Sequence, residues 1–128
     1  MKHTVLIVED EIFVATDIER ILEDAGYFVS AIAADKKSAL AAAPGNHIAL
    51  VDLNLRDGLT GPEIACQIAK QHGIKVIYVT ANPAQIYPRA ENAIGYIRKP
   101  FDDESILNAV HHAAGACGKD ELTNITLF

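Results

Sequence analysis

Four short apolar runs, each followed by polar residues, punctuate this chain: Thr4-Val5-Leu6-Ile7-Val8, Ile48-Ala49-Leu50-Val51, Val76-Ile77-Tyr78-Val79 and Ile94-Gly95-Tyr96-Ile97. Runs without polar alternation suit strands buried on both faces, as in a parallel sheet. They predict strands near 4–9, 47–52, 75–80 and 94–98, with another near 27–33. Between them the period becomes helical, predicting helices near 11–25, 35–43 and 62–72, one beginning near 83, and one near 103–115. In the first helix Val14, Ile18, Ile21, Leu22 and Ala25 share a face, and Gly26 suits the left-handed turn that ends it. Pro62 and Pro83 fit first helical turns, with Asn82 as a cap before the second. Asp102 is placed to cap the last helix, with Phe101 stapled onto Ile106. Strands alternating with helices imply long right-handed crossovers, hence a doubly wound α/β fold with a parallel sheet in the order 2-1-3-4-5.

The polar residues at the strand ends carry the chemistry. Glu9 and Asp10 follow the first run, Asp52 the second and Lys99-Pro100 the last, while Thr80 closes the third. Ligands of open α/β sheets bind beyond the carboxyl ends of the strands, so these residues should converge. Two carboxylates brought to ~4 Å at an effective dielectric near 20 repel by about 4 kcal/mol, which a divalent cation would relieve. An all-oxygen cluster suits a hard ion such as Mg²⁺. Taken singly, each residue has a plainer role. Glu9 or Asp10 would favour a helix N-terminus, Thr80 a strand, Lys99 the solvent and Tyr96 a half-buried core position. Asp52 resists that reading, because an acid directly after four apolar strand residues is costly without a function. Together they point to phosphoryl transfer to Asp52.

At 128 residues, half of them apolar, the chain fits one domain. The net charge of −6 and the lack of a basic stripe argue against direct nucleic-acid binding. No apolar run reaches the roughly 18 to 20 residues that span a bilayer. Cys66 and Cys117 form no CxxC or metal spacing, which fits a reducing cytoplasm. His3, His47, His72, His111 and His112 show no ligand spacing and read as surface residues.

The segments "LIVEDE", "LVDLNL", "YVTAN" and "GYIRKPF", in this order and at strand ends, resemble the receiver domain of bacterial two-component response regulators over residues 4 to about 115. The resemblance implies a flavodoxin-like (βα)5 three-layer sandwich that accepts phosphate from a histidine kinase or histidine phosphotransfer protein. It implies Mg²⁺ held by Asp10 and Asp52, with Glu9 acting through water and Asn54 through its backbone carbonyl. Lys99 and Thr80 would contact the phosphoryl group, and Thr80 and Tyr96 would form the switch. Ala81 leaves the entry open, and Lys99-Pro100 stands where the family has a cis peptide. Such a protein would signal through a protein-interaction surface as a monomer or weak homodimer.

Several positions depart from the family pattern. Glu stands for the commoner Asp at position 9, Arg56 replaces a frequent Pro, and the loop 57–61 is one residue longer than common. Pro88 interrupts the segment where the helix from 83 should run, so that helix is expected to be short or irregular beyond Tyr87. Residues 1–116 form the expected receiver, and 117–128 a loosely ordered tail without an effector domain. The chain is then a stand-alone receiver, or a receiver excised from a longer regulator or hybrid histidine kinase. Two rival classes fit less well. An aspartyl-phosphate phosphohydrolase needs a general acid two residues past its nucleophile, where Asn54 stands. A flavodoxin-like cofactor binder needs a phosphate-cradling loop after the first strand, where "VEDEIF" supplies acids and no glycine.

Overall fold

Burial on both faces explains why the strand runs lack polar alternation: Val5, Leu6, Ile7, Val8, Ile48, Ala49, Leu50 and Val51 are all buried. The computed structural model describes residues 3–115 and 125–128. Its elements in chain order are β1 (Thr4–Val8), α1 (Ile12–Asp24), β2 (Phe28–Ala33), α2 (Lys36–Ala42), β3 (Ile48–Val51) and α3 (Gly61–His72). There follow β4 (Lys75–Thr80), a 3-10 turn (Pro83–Gln85), β5 (Ala93–Arg98), α4 (Asp103–Ala113) and β6 (Ile125–Leu127). The sheet order is β2-β1-β3-β4-β5-β6. The first five strands are parallel in the expected order, and β6 adds an antiparallel edge to β5.

Alternate side chains of the central strands feed two cores. Val5, Ile7, Leu50, Ile77 and Val79 meet Ile18 and Leu22 of α1 and Ile106 and Val110 of α4. Leu6, Val8, Val51, Val76 and Tyr78 meet Ala39 of α2 and Ile64 and Ile68 of α3. Local signals start and stop these helices. Asp35 accepts from Ser38 N (2.9 Å) and Asp102 from Ser105 N (2.8 Å), so each satisfies a donor that a helix N-terminus leaves free. Gly26 follows α1 at φ +92°, which only glycine adopts cheaply.

Three expectations are corrected. The helix expected from 83 is replaced by the 3-10 turn, in which Gln85 N donates to Asn82 O and Ile86 N to Pro83 O. Asn82 makes no side-chain cap, and Pro88 has no N–H to continue an α-helix. The fold therefore has four α-helices among the described residues, and the β4–β5 crossover is irregular. The segment expected as a loose tail contributes β6 at 125–127, while Cys117 lies outside the described residues. His3, His111 and His112 are half-buried instead of surface-exposed, and the Tyr27 hydroxyl pairs with His111 Nδ1. The Tyr87–Pro88 and Lys99–Pro100 peptide bonds are cis.

One glycine ties the fold to the strand-end site. Gly61 opens α3 against the backbone beyond β3, and its N–H donates to Leu53 O (3.0 Å). A Cβ there would lie 2.1 Å from Asp52 O and 2.5 Å from Leu53 Cα, so backbone would have to move. Gly61→Ala is expected to destabilise the fold by about 1–3 kcal/mol, the range for overpacking, read as a lower urea midpoint at unchanged m-value.

Candidate functional site

Register brings the strand ends to one level. Val8 pairs with Val51, Val51 with Tyr78 and Tyr78 with Tyr96, so the residues just beyond these positions emerge side by side. Glu9 and Asp10 leave β1, Asp52 leaves β3, Thr80 ends β4 and Lys99 follows β5. Oxygen atoms of Glu9, Asp10 and Asp52 lie within 4.8 Å of one another. Lys99 Nζ donates to Glu9 Oε1 (2.7 Å) and Asp52 Oδ2 (3.2 Å). The other Asp52 oxygen, Oδ1, accepts from Leu53 N (2.8 Å), and Glu9 Oε2 accepts from Glu11 N (3.2 Å).

The group is graded from interior to solvent. Glu9 is 3 % exposed, Asp52 8 % and Thr80 1 %, whereas Asp10 is open to solvent. Asp10, Asp52, Asn54, Thr80, Ala81 and Lys99 line an open cleft of about 400 Å³. Thr80 Oγ1 accepts from Asn82 N (2.9 Å), which leaves its own proton available to a ligand. Asn54 Nδ2 donates to Gln85 Oε1 (2.8 Å), tying the loop after β3 to the 3-10 turn. Tyr96 lies outside the cleft, half-buried on the sheet face that carries Tyr78.

Electrostatics follow from burial. Burial raises the Glu9 carboxyl to about 7, and the Asp52 charge adds to the rise against the opposing Lys99 hydrogen bond. Burial alone would lower the Lys99 ammonium, but the Glu9 hydrogen bond and the charges of Glu9 and Asp52 outweigh it and hold it above its usual value. Three carboxylates within reach of one point, all hard oxygen donors, fit a divalent cation such as Mg²⁺. Chemically, the site can present one half-shielded carboxylate oxygen beside a cation, a hydroxyl donor and an open mouth.

Two residues of this neighbourhood were not singled out in the sequence. Gln85 has no motif, and only the missing helix brings its amide over Asn54. Gly61 did leave a signal, as a glycine directly before a helix-opening proline, but its need arises from the Asp52 backbone it faces.

A family model described as "Response regulator receiver domain" matches residues 5–111. The phyllosphere-induced regulator PhyR of Methylorubrum extorquens is 31% identical over 120 residues, covering 88% of this chain and 44% of that protein. The chain thus spans less than half the length of this curated relative. Among solved structures, the PhyR receiver domain of Erythrobacter litoralis superposes with TM-score 0.80 at 26% identity, over 89% of this chain and 91% of that one. A CheY-like receiver domain protein of Methanospirillum hungatei gives 0.75 at 28% identity, over 91% and 97%. A mutant of the anti-anti-sigma factor PhyR of Bartonella quintana gives 0.74 at 28% identity, over 89% and 48%.

The raised Glu9 carboxyl sets a sign for pH dependence. Between 4.5 and about 7 the folded protein keeps a proton on Glu9 that the unfolded chain has lost, so stability falls as pH rises through this window. At about 1.4 kcal/mol per pH unit, the loss is on the order of 3 kcal/mol. Glu9→Gln should flatten this slope in metal-free protein, checked by urea unfolding in chelator across the window.

Proposed function

This chain belongs to the response regulator receiver domain family, and from that premise we propose that Asp52 takes a phosphoryl group from a phosphohistidine of a partner protein. The observation that carries this reading is the Lys99 ammonium on Asp52 Oδ2 and Glu9 Oε1, beside the three-carboxylate cluster and open to the cleft. An Asp52 carboxylate oxygen forms the new bond to phosphorus as the phosphorus–nitrogen bond to the donor imidazole breaks. The electron pair returns to the imidazole, and an acyl phosphate remains on Asp52.

Each neighbouring group has a task in that transfer. Lys99 is placed to exchange its bonds to the carboxylates for bonds to phosphoryl oxygens, which neutralises charge where it accumulates. Thr80 can turn its hydroxyl proton onto the same group. Asp10 and Asp52, Glu9 and the Asn54 carbonyl would hold Mg²⁺, which supplies further positive charge against the phosphoryl oxygens. Thr80 and Tyr96 would then relay occupancy of the site to the β5 side of the sheet as a two-state shift.

The donor has a landing surface. Phe13 is 87 % exposed at the start of α1, and with Val14, Ala81, Pro100 and Phe101 it borders an apolar groove beside Lys99. A histidine kinase or histidine phosphotransfer protein docking an apolar helix there would bring its imidazole to the mouth of the cleft. A phosphohydrolase role is disfavoured by Asn54, whose side-chain amide is engaged with Gln85 and cannot serve as an acid. PhyR acts as a longer protein, and its match to this chain supports only the receiver function, with a protein as the downstream partner.

Incubation with acetyl phosphate and Mg²⁺ is expected to add one hydroxylamine-labile phosphoryl group, seen by intact mass. Asp52→Asn should abolish the adduct while keeping the fold. Lys99→Ala should slow its formation by about a hundredfold, as for loss of one donor to a developing charge. An adduct that survives in Asp52→Asn would refute the assignment.

A further inference from the structure

The β5 edge carries a feature that phosphoryl chemistry does not need. Gly95 sits in the middle of β5, where glycine weakens a strand unless another backbone comes close. Here one does. A Cβ on Gly95 would meet Thr126 O at 2.1 Å and Leu127 Cα at 3.0 Å, both in β6. The register places Gly95 against Leu127, Tyr96 against Thr126 and Ile97 against Ile125, and Phe128 N donates to Ile94 O (3.0 Å). Gly95 is thus shaped for an incoming strand.

Beyond β6 the fit becomes aromatic. The Phe128 ring centroid lies 6.1 Å from those of Tyr78 and Tyr96, and the Arg89 guanidinium stands 4.4 Å above the Phe128 ring. Arg89 belongs to the irregular β4–β5 crossover, where the expected helix is absent. Phe128 therefore covers aromatic surface that the missing helix leaves bare, and it is itself 44 % exposed. Ile125 packs with the core on the opposite face of the sheet.

We infer that the β5 edge is a docking site for an extended partner segment with the pattern apolar-polar-apolar-aromatic, which residues 125–128 occupy in cis as a displaceable self-ligand. Strand addition supplies main-chain hydrogen bonds, and the Tyr78–Tyr96–Arg89 cradle reads the aromatic residue. The link to signalling rests on the proposed switch. Tyr96 pairs with Thr126 and touches Phe128, so its rotation toward Thr80 on phosphorylation removes one wall of the cradle and releases whichever strand is bound there. Coupling of this kind is reciprocal, so a strand that phosphorylation displaces must itself disfavour phosphorylation.

The test uses the full chain and a fluorescent peptide, Ile-Thr-Leu-Phe flanked by glycines, followed by anisotropy. Thr126→Pro removes a ladder donor from β6 and opens the edge, and it should bind the peptide at least tenfold more tightly than the wild type. Gly95→Ala bars any strand, from within or outside, and should bind no peptide while still taking phosphate on Asp52. A Thr126→Pro protein that is folded by circular dichroism yet binds no peptide, or a Gly95→Ala protein that binds it as well, overturns the docking site. Thr126→Pro protein with an Asp52 adduct verified by mass should lose at least tenfold in peptide affinity, because the cradle that holds the peptide has lost its Tyr96 wall. An adduct without that loss overturns the release by phosphorylation. Failure to form any adduct counts against the reading of Asp52, and the two variants still decide the docking site.

Discussion

Lys99 holds together two carboxylates that would otherwise drive apart the ends of β1 and β3. Its ammonium reaches Glu9 at 2.7 Å and Asp52 at 3.2 Å, and both acids are nearly sealed from water. A buried acid keeps its charge only beside such a partner and otherwise takes a proton, as Glu9 does below about pH 7, and removing one member of a buried pair typically costs about 3–5 kcal/mol. The arrangement also leaves the site charged for its task. Asp10 remains in solvent at the lip, where the proposed cation and phosphoryl group would enter.

The sheet makes this possible by register. Four parallel strands end at the same level, and each hands a different chemical type to the cleft: acid, acid, hydroxyl and ammonium. The same geometry separates Tyr96 from the cleft. It faces the Tyr78 side, where the crossover after β4 carries no helix and Arg89 and Phe128 fill the space. The proposed chemistry at the top of the sheet and the proposed recognition at its edge thus share one strand, β5. That proximity needs no long pathway between the two.

Much of this was legible in the residues. The unbroken apolar runs declared a buried parallel sheet, and their terminal polar residues declared where the cleft would open. The Asp102 cap and the Gly26 stop were readable because capping is a local matter. Where the outcome depended on distant backbone, the reading failed. Pro88 signalled trouble in the fourth crossover, yet the collapse of that helix to Pro83–Gln85 exceeded what one proline implies. Ile125–Leu127 has too few residues to announce a strand, and its partner lies about thirty residues earlier. Gly95 was the available clue, a glycine within an apolar strand, and its meaning appears only with Thr126 O above it. His111 was misplaced for a similar reason, since α4 turns it toward Tyr27, and the neighbouring His112 is half-buried as well.

Whether Asp52 accepts the phosphoryl group is best decided by a crystal structure of the full chain with Mg²⁺ and beryllofluoride, a stable stand-in for that group. Beryllium is expected to bond an Asp52 carboxylate oxygen, with Lys99 Nζ and Thr80 Oγ1 within hydrogen-bond distance of its fluorines and the cation among Asp10, Asp52 and Asn54. Beryllofluoride absent from Asp52, or Lys99 still clamped between Glu9 and Asp52 beside it, would contradict that role for Asp52.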